Sequence, residues 1–348
     1  MSTLRVAIAG ATGYAGEELI RLLLHHPHVK ITHLAASAKW ERPTPVSVVY
    51  PRFARQLDLS IEAFEVSRFA AACDAAFLAL PHGTAMRAEP QLLHGPNAGT
   101  RRVIDLSGDF RLLDESLYPK WYKFEHTAAG RLKSPTVAYG LTEFHRDEIR
   151  TAQLVANPGC YATSILLAVL PLFRAGLVED NRFIVDAKSG LSGAGRKADT
   201  ALLFTEMTDN LRAYKVNEHQ HMPEVLQEVK RLTQHQATMT FVPQVIPATR
   251  GLISMIYLRV SNPAHVKVAY ENAYSPDTTP FVRVRTGSLP QLRDVVETNY
   301  CDIGFAYDSE TGYLVIASAL DNLTMGAAGQ AIQNLNVMYG WPEATGLL

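Results

Sequence analysis

The stretch LRVAIAGATGYAGEELIRLLLHH, Leu4 to His26, decides the fold. Leu4–Ala9 is a short apolar run with β-branched residues at positions 6 and 8, the pattern of a buried strand. From Tyr14 onward the apolar residues recur at helical spacing. Between them stand Gly10, Gly13 and Gly16. Gly10 and Gly13 permit a tight turn and close backbone approach to a pyrophosphate, which the N-terminus of the following helix can hold; Gly16 permits close packing of helix on sheet. The spacing GxxGxxG departs from the usual GxGxxG and is weak alone. Its place at the first strand-to-helix turn strengthens it.

The same alternation continues outward through VKITHLAAS, DAAFLALP, HGTAMRAEPQLL and RRVIDLSGDF, which predicts a doubly wound parallel sheet of Rossmann type. The signal weakens between about Asp114 and Arg150, and a domain boundary is expected near Asn157. Where an NAD-binding fold usually carries a carboxylate for the ribose, at the end of the second strand, the chain reads HLAASAK. Ser37 and Lys39 offer a hydroxyl and a cation there, so NADP is expected in preference to NAD.

Beyond Asn157 the sequence changes character. A helix is expected over 160–174 and another from Pro223, with strands in FIVDAKS, TMTFVPQV, LISMIYLRV and GYLVIASAL. Several strands follow one another without an intervening helix, which predicts a second, α+β domain of mixed sheet with covering helices. The pattern NLTMGAAGQAIQNLNVMYG reads as a closing helix with one side of small residues.

Composition narrows the class. The 348 residues are 47% hydrophobic and 19% charged with a net charge of -1, as in a packed protein with no general attraction to nucleic acid or to an anionic membrane. No apolar run reaches transmembrane length, and the N-terminus enters a strand pattern without a signal-peptide pattern, so a cytoplasmic protein is the expectation. Cys73, Cys160 and Cys301 are odd in number and lack metal-site spacing, so neither a disulfide framework nor a metal site is expected. HHPH, His25 to His28, reads as helix-terminal surface residues.

Chemistry is expected at NPGCYAT, Asn157 to Thr163. Cys160 opens a helix, where unpaired N–H groups and the positive end of the helix dipole favour thiolate. A small buried hydrophobe is the alternative reading. In AYKVNEHQHMPE, His219 and His221 stand on the approach to a helix, and histidine titrates in the range a thiol's proton partner needs. The loops SGDFR and KSGLSGAGRK follow strands and resemble anion or nucleotide cradles. A dinucleotide with a cysteine and a histidine suits reduction of an activated acyl group through an enzyme thioester.

GATGYAGEELIRLLLHHP, DLSGDFRL, AYGLTE, NPGCYAT, KSGLSGAGR, HQHMPE, PATRG and DNLTMGAAGQAIQN with GWPEATGL, in this order over essentially the whole chain, resemble the N-acetyl-gamma-glutamyl-phosphate reductase family. The resemblance implies NADPH-dependent reduction of that acyl phosphate to the semialdehyde, in arginine synthesis. It implies Cys160 as nucleophile and His219 as acid/base, with Arg111, Tyr214, His221 and Glu224 around the substrate. It further implies a cofactor site of Gly10, Thr12, Gly13, Tyr14, Ala15, Gly16, Ser37, Lys39, Pro81, Ser189, Ser192, Gly193 and Asn322. The implied organisation is an NADP-binding domain of residues 1–156 plus 324–348 and a catalytic, oligomerisation domain of 157–323, in a dimer or tetramer. Ala162 stands where the family commonly has proline. Related readings are aspartate-semialdehyde dehydrogenase, the corresponding aminoadipyl phosphate reductase of lysine synthesis, and a redox-silent NADP-binding sensor.

Overall fold

In the computed structural model, residues 3–94 and 98–348 are described. They form two compact units, Met1–Pro158 with Ala327–Leu348, and Gly159–Gly326.

The first unit is built on an eight-stranded sheet. Its strands are β1 (Leu4–Ala9), β2 (Val29–Ala35), β3 (Thr44–Pro45), β4 (Ser60–Glu62), β5 (Ala75–Leu78), β6 (Arg102–Asp105), β7 (Val137–Tyr139) and β8 (Leu154–Ala156), in the order β3-β4-β2-β1-β5-β6-β8-β7. All neighbours are parallel except the edge pair β3/β4. β1 lies in the middle and is almost wholly apolar because both its faces are covered. One layer packs Ile8, Leu19 and Ile20 with Ile332 and Leu335 of the Gly329–Met338 helix. The chain thus returns to the first unit after leaving it for 168 residues, Gly159–Gly326.

The second unit carries β9 (Val178–Gly190), β10 (Arg212–Ala213), β11 (Thr238–Ile246), β12 (Leu252–Val260), β13 (Val282–Arg285), β14 (Cys301–Tyr307) and β15 (Tyr313–Leu320), in the order β10-β11-β9-β12-β15-β14-β13. β9/β11 and β13/β14 are parallel and the other neighbours antiparallel, so the sheet is mixed, as the helix-free succession of strands predicted.

Helices cover one face of this sheet. The Cys160–Arg174 helix, buried along most of its length, is fixed in two ways. One turn below Cys160, Ser164 Oγ donates to Ser254 Oγ (2.9 Å) on β12, and Ser318 Oγ on β15 donates to the Ser164 carbonyl (2.9 Å). Further down, Pro171 has no N–H for the carbonyl of Leu167, and the Tyr274 hydroxyl donates to that oxygen instead (2.5 Å). Ala162, in place of proline, leaves the helix start at Cys160.

Candidate active site

In the second unit the sequence around Cys160 makes a helix start whose N-cap, Gly159, has no side chain to satisfy the turn. A neighbouring helix does so. Glu224, fully buried in the first turn of the His221–Thr233 helix, accepts the Gly159 N–H with Oε1 at 2.8 Å. Glu224, expected around the substrate, therefore holds the peptide that immediately precedes the cysteine. Cys160 is half-buried, whereas Cys73 and Cys301 are buried. Cys73 lies just before β5 rather than within a strand, where its Sγ donates to the Phe69 carbonyl (3.4 Å) and burial pushes its thiol up to about 11.

His221 is the first residue of its helix, which begins two residues earlier than the expected start at Pro223. A proline in the first turn forfeits no helix hydrogen bond, so the helix can start ahead of it. Gln220 is already in helical conformation, and the two histidines therefore do not point to opposite sides as an extended loop would make them. Their rings lie edge to face at 4.5 Å, and both meet the edge or face of Tyr161, at 5.5 Å for His219 and 6.0 Å for His221. The His221 ring lies against Gly159, where any Cβ would overlap it. The His221 N–H donates to His219 Nδ1 (3.2 Å), so the neutral His219 ring carries its proton on Nε2. Tyr214 lies 5.7 Å from His219, ring to ring, and donates its hydroxyl to Tyr161 (3.5 Å). Burial pushes Tyr214 up to about 12, so it remains a neutral donor at physiological pH.

Ser189, Ser192, Gly193 and Asn322 converge in the same unit. The loop after β9 is tied to the PATRG segment by Leu191 N–H to Ala248 O (2.8 Å) and Ser192 N–H to Thr249 O (3.1 Å). Asn322 donates to Ser192 Oγ (2.9 Å) and accepts from Gly251 N–H (2.8 Å). A hydrogen-bonded knot stands where Gly and Ser alone suggest a loose cradle. Arg196 and Lys197 beyond it are exposed.

In the first unit, Gly10 has φ +86°, and a Cβ there would overlap the Ala79 carbonyl oxygen. Gly13 caps the Tyr14–Leu23 helix with no side-chain hydrogen bond at the cap, and Thr12, Gly13, Tyr14, Ala15 and Gly16 form the turn into this helix N-terminus. That is the surface a pyrophosphate requires. Ser37 and Lys39 are exposed just beyond β2, and Pro81 is exposed beyond β5, all at the carboxyl ends of strands where such folds bind dinucleotides. These residues fit NADP.

SGDFR holds a network that sequence reading missed. Asp105 accepts Ser107 N–H (2.9 Å) and Oγ (2.8 Å), and Asp109 accepts the N–H groups of Gly83 (2.7 Å) and Met86 (3.0 Å) at the start of the Ala85–His94 helix. Arg111 is 6% exposed and donates to the carbonyls of Asn157 (2.8 Å) and Leu106 (2.9 Å), tying the loop to the end of β8. Burial, with Asp109 nearby, pushes Asp105 up to about 7. Because its folded pKa lies above the unfolded value, the folded state binds the extra proton between about pH 4 and 7. Stability from Asp105 is therefore present at low pH and lost as pH rises toward 7. Asp105→Asn should remove this slope, raising Tm at pH 8 relative to pH 5.5 by about 2–4 °C per kcal/mol of linked stability. Differential scanning calorimetry at the two pH values checks it.

Among the described residues no helix is long and apolar enough to cross a membrane, and no group of three or more His, Cys, Asp or Glu could hold a metal ion.

Residues 5–152 match the family described as semialdehyde dehydrogenase, NAD binding domain, and residues 160–322 match semialdehyde dehydrogenase, dimerisation domain. The chain is 44% identical over 347 residues to an N-acetyl-gamma-glutamyl-phosphate reductase of Syntrophobacter fumaroxidans, covering 99% of this chain and 98% of that protein. It is 43% identical to a reductase of the same name from a Geobacillus species, with the same coverage. Among solved structures, aspartate semialdehyde dehydrogenase II of Vibrio cholerae, complexed with ASA, superposes with TM-score 0.71 at 18% identity over 98% of this chain and 99% of that one. Aspartate semialdehyde dehydrogenase of Candida albicans with NADP superposes with TM-score 0.69 at 16% identity, over 97% and 99%. The structural likenesses speak for the fold.

Proposed function

Because the chain belongs to the N-acetyl-gamma-glutamyl-phosphate reductase family of semialdehyde dehydrogenases, we propose that Cys160 and His219 carry out its reaction. The reaction is NADPH-dependent reduction of N-acetyl-gamma-glutamyl phosphate to N-acetylglutamate 5-semialdehyde and phosphate, in arginine biosynthesis. The observation that carries the assignment is a half-buried thiol at a helix start whose next residue, Tyr161, has its ring 5.5 Å from the ring of His219, a histidine whose hydrogen bonding leaves the proton on Nε2.

Cys160 Sγ attacks the acyl carbonyl, the carbon–oxygen bond to phosphate breaks, and a thioester remains on the enzyme. NADPH, when bound, would supply the hydride that takes the thioester to the aldehyde level. His219 gives its Nε2 proton to the oxygen that gathers negative charge and takes a proton back as the adduct collapses, which releases aldehyde and restores the Cys160 thiolate. Glu224 keeps the Gly159 peptide fixed throughout, and Tyr214 remains a neutral hydrogen-bond donor beside His219. In the first unit the turn from Gly10 to Gly16 would hold the pyrophosphate, and Lys39 with Ser37 would hold the ribose 2′-phosphate. Initial rates with N-acetylglutamyl, aspartyl and aminoadipyl phosphates side by side test the substrate. A clear preference for the aspartyl or aminoadipyl compound would overturn it.

Cofactor preference has its own test. Ser37→Asp with Lys39→Ala should shift binding from NADP toward NAD by about tenfold to a hundredfold, the weight of one charge-assisted contact. Unchanged binding ratios in titration calorimetry would show that this loop does not read the ribose.

Self-association is assigned to the face of the second sheet that the Cys160 helix leaves uncovered. Ile184 is 43% exposed there, amid half-buried Val242, Ile246, Ile253, Met255 and Tyr257. These apolar side chains surround a polar centre in which Asp186 accepts from Lys188 (2.6 Å) and Gln244, a mix that suits an interface, and a second copy is the partner that a domain of the dimerisation family calls for. Ile184→Arg should lower the sedimentation mass of the particle at micromolar concentration, and an unchanged mass would move the interface elsewhere.

A further inference from the structure

The strand β15 ends at Leu320, and the chain then makes a wide turn before its last helix. Gly326 N–H bonds to the carbonyl of Asp321 (2.9 Å), five residues back, and Thr324–Ala328 is wound as a π-helix. In an α-helical turn that carbonyl would accept from Met325. The inserted residue rotates the register by about 100° and brings a glycine to the place in question. A Cβ on Gly326 would lie 2.7 Å from Cys160 Cβ. Gly326 is therefore the wall against which the cysteine side chain rests.

Asp321 organises this wall. It is fully buried and receives donors from three directions. Oδ1 accepts the N–H groups of Leu323 (2.8 Å) and Thr324 (3.2 Å). Oδ2 accepts Arg250 Nε (2.9 Å) and the N–H of Glu297 (2.7 Å), a residue at φ +64°. Thr324 Oγ1 in turn donates to the Thr298 carbonyl, joining the same two segments again. A carboxylate holding four donors with its side chain and a fifth with its backbone fixes the turn far more tightly than the turn's small residues could.

We propose that Asp321 is a positioning residue for Cys160, acting through the π turn that seats Gly326 against the nucleophile. The consequence is chemical because a thiol displaced by a fraction of an ångström meets the carbonyl at a different angle and the helix N-terminus at a different distance. The proposal rests on Cys160 being the nucleophile, yet alkylation of Cys160 reports on the thiol without substrate or cofactor. Failure of the two readings is therefore distinguishable.

The test uses the full chain carrying Gly326→Ala, Asp321→Asn or, as a control, Gly130→Ala, whose added methyl meets nothing within 4 Å. Iodoacetamide alkylation of the Cys160 peptide is followed by mass spectrometry across pH, with kcat, KM and Tm measured on the same preparations. Gly326→Ala adds a methyl that meets Cys160 Cβ at 2.7 Å and, less closely, the Asp321 carbonyl oxygen and Leu320 Cδ1 at 3.2 Å each, while the Asp321 carboxylate and its four donors are left as they are. It should lower kcat by about tenfold to a hundredfold and shift the alkylation profile, while KM changes by less than about threefold. Asp321→Asn sets an amide donor against one of the two pairs of donors that the carboxylate holds, and should move both readouts in the same direction, while Gly130→Ala leaves them at the wild-type value. Wild-type kcat and alkylation in Gly326→Ala would overturn the proposal. A lower Tm in Asp321→Asn with an unchanged Cys160 profile would reduce Asp321 to a structural part and overturn it equally. Should Asp321→Asn not fold, Gly326→Ala decides alone.

Discussion

Cys160→Ser should fold, bind NADPH with wild-type affinity and lose reductase activity by about 10³-fold or more, equivalent to about 4 kcal/mol of transition-state stabilisation. Serine fits the same helix start and leaves the Glu224 bond to Gly159 intact, so the loss isolates the nucleophile. A hydroxyl is not anionic near neutral pH and forms an ester where the reaction needs a thioester. Cys73→Ser serves as the comparison, because the Cys73 thiol is buried and held at about 11 by its surroundings. Steady-state rates with equal NADPH binding in both variants decide the matter. Turnover retained in Cys160→Ser and lost in Cys73→Ser would reverse the assignment.

The second large effect is expected at His219. Asparagine there can still accept the His221 N–H through its side-chain oxygen, so the turn between the two residues is kept while the titrating ring is removed. His219→Asn should depress the hydride-transfer step by about 10² to 10⁴ and flatten its pH dependence, the range for losing a positioned acid/base. His221→Asn, altering the ring that lies against Gly159, should act mainly on apparent substrate binding. Pre-steady-state NADPH oxidation separates the two. A normal chemical step in His219→Asn beside a crippled one in His221→Asn would exchange their roles.

What could be read before the structure followed from periodic patterns and from residues with a single physical use. The buried run of β1, the glycine turn after it and the apolar spacing after Cys160 each point to one local conformation, and the Cys160 helix spans the predicted 160–174. The mixed second sheet was legible because its strands succeed one another without helices. Features made by tertiary contact were not. Glu224 reads as a polar residue of an amphipathic helix, and nothing local says that its carboxylate reaches Gly159. The pairing of His219 with His221 hung on one backbone conformation, at Gln220, that spacing does not encode. SGDFR looks like an exposed anion loop by composition, yet Arg111 turns inward to carbonyls and Asp109 caps a helix. The π turn after Asp321 was hidden most completely, since an extra residue within NLTMGAAG leaves a run of small residues that still reads as ordinary helix.

Single-turnover acylation tests the central claim most directly. N-acetyl-gamma-glutamyl phosphate is mixed with the enzyme in the absence of NADPH, released phosphate is followed with time, and the quenched protein is digested and weighed peptide by peptide. Covalent catalysis at Cys160 predicts a burst of one phosphate per active subunit, with an N-acetylglutamyl group on the Cys160 peptide that disappears when NADPH is added. Phosphate release without acylation of Cys160, or acylation of another residue that carries the turnover, would contradict it.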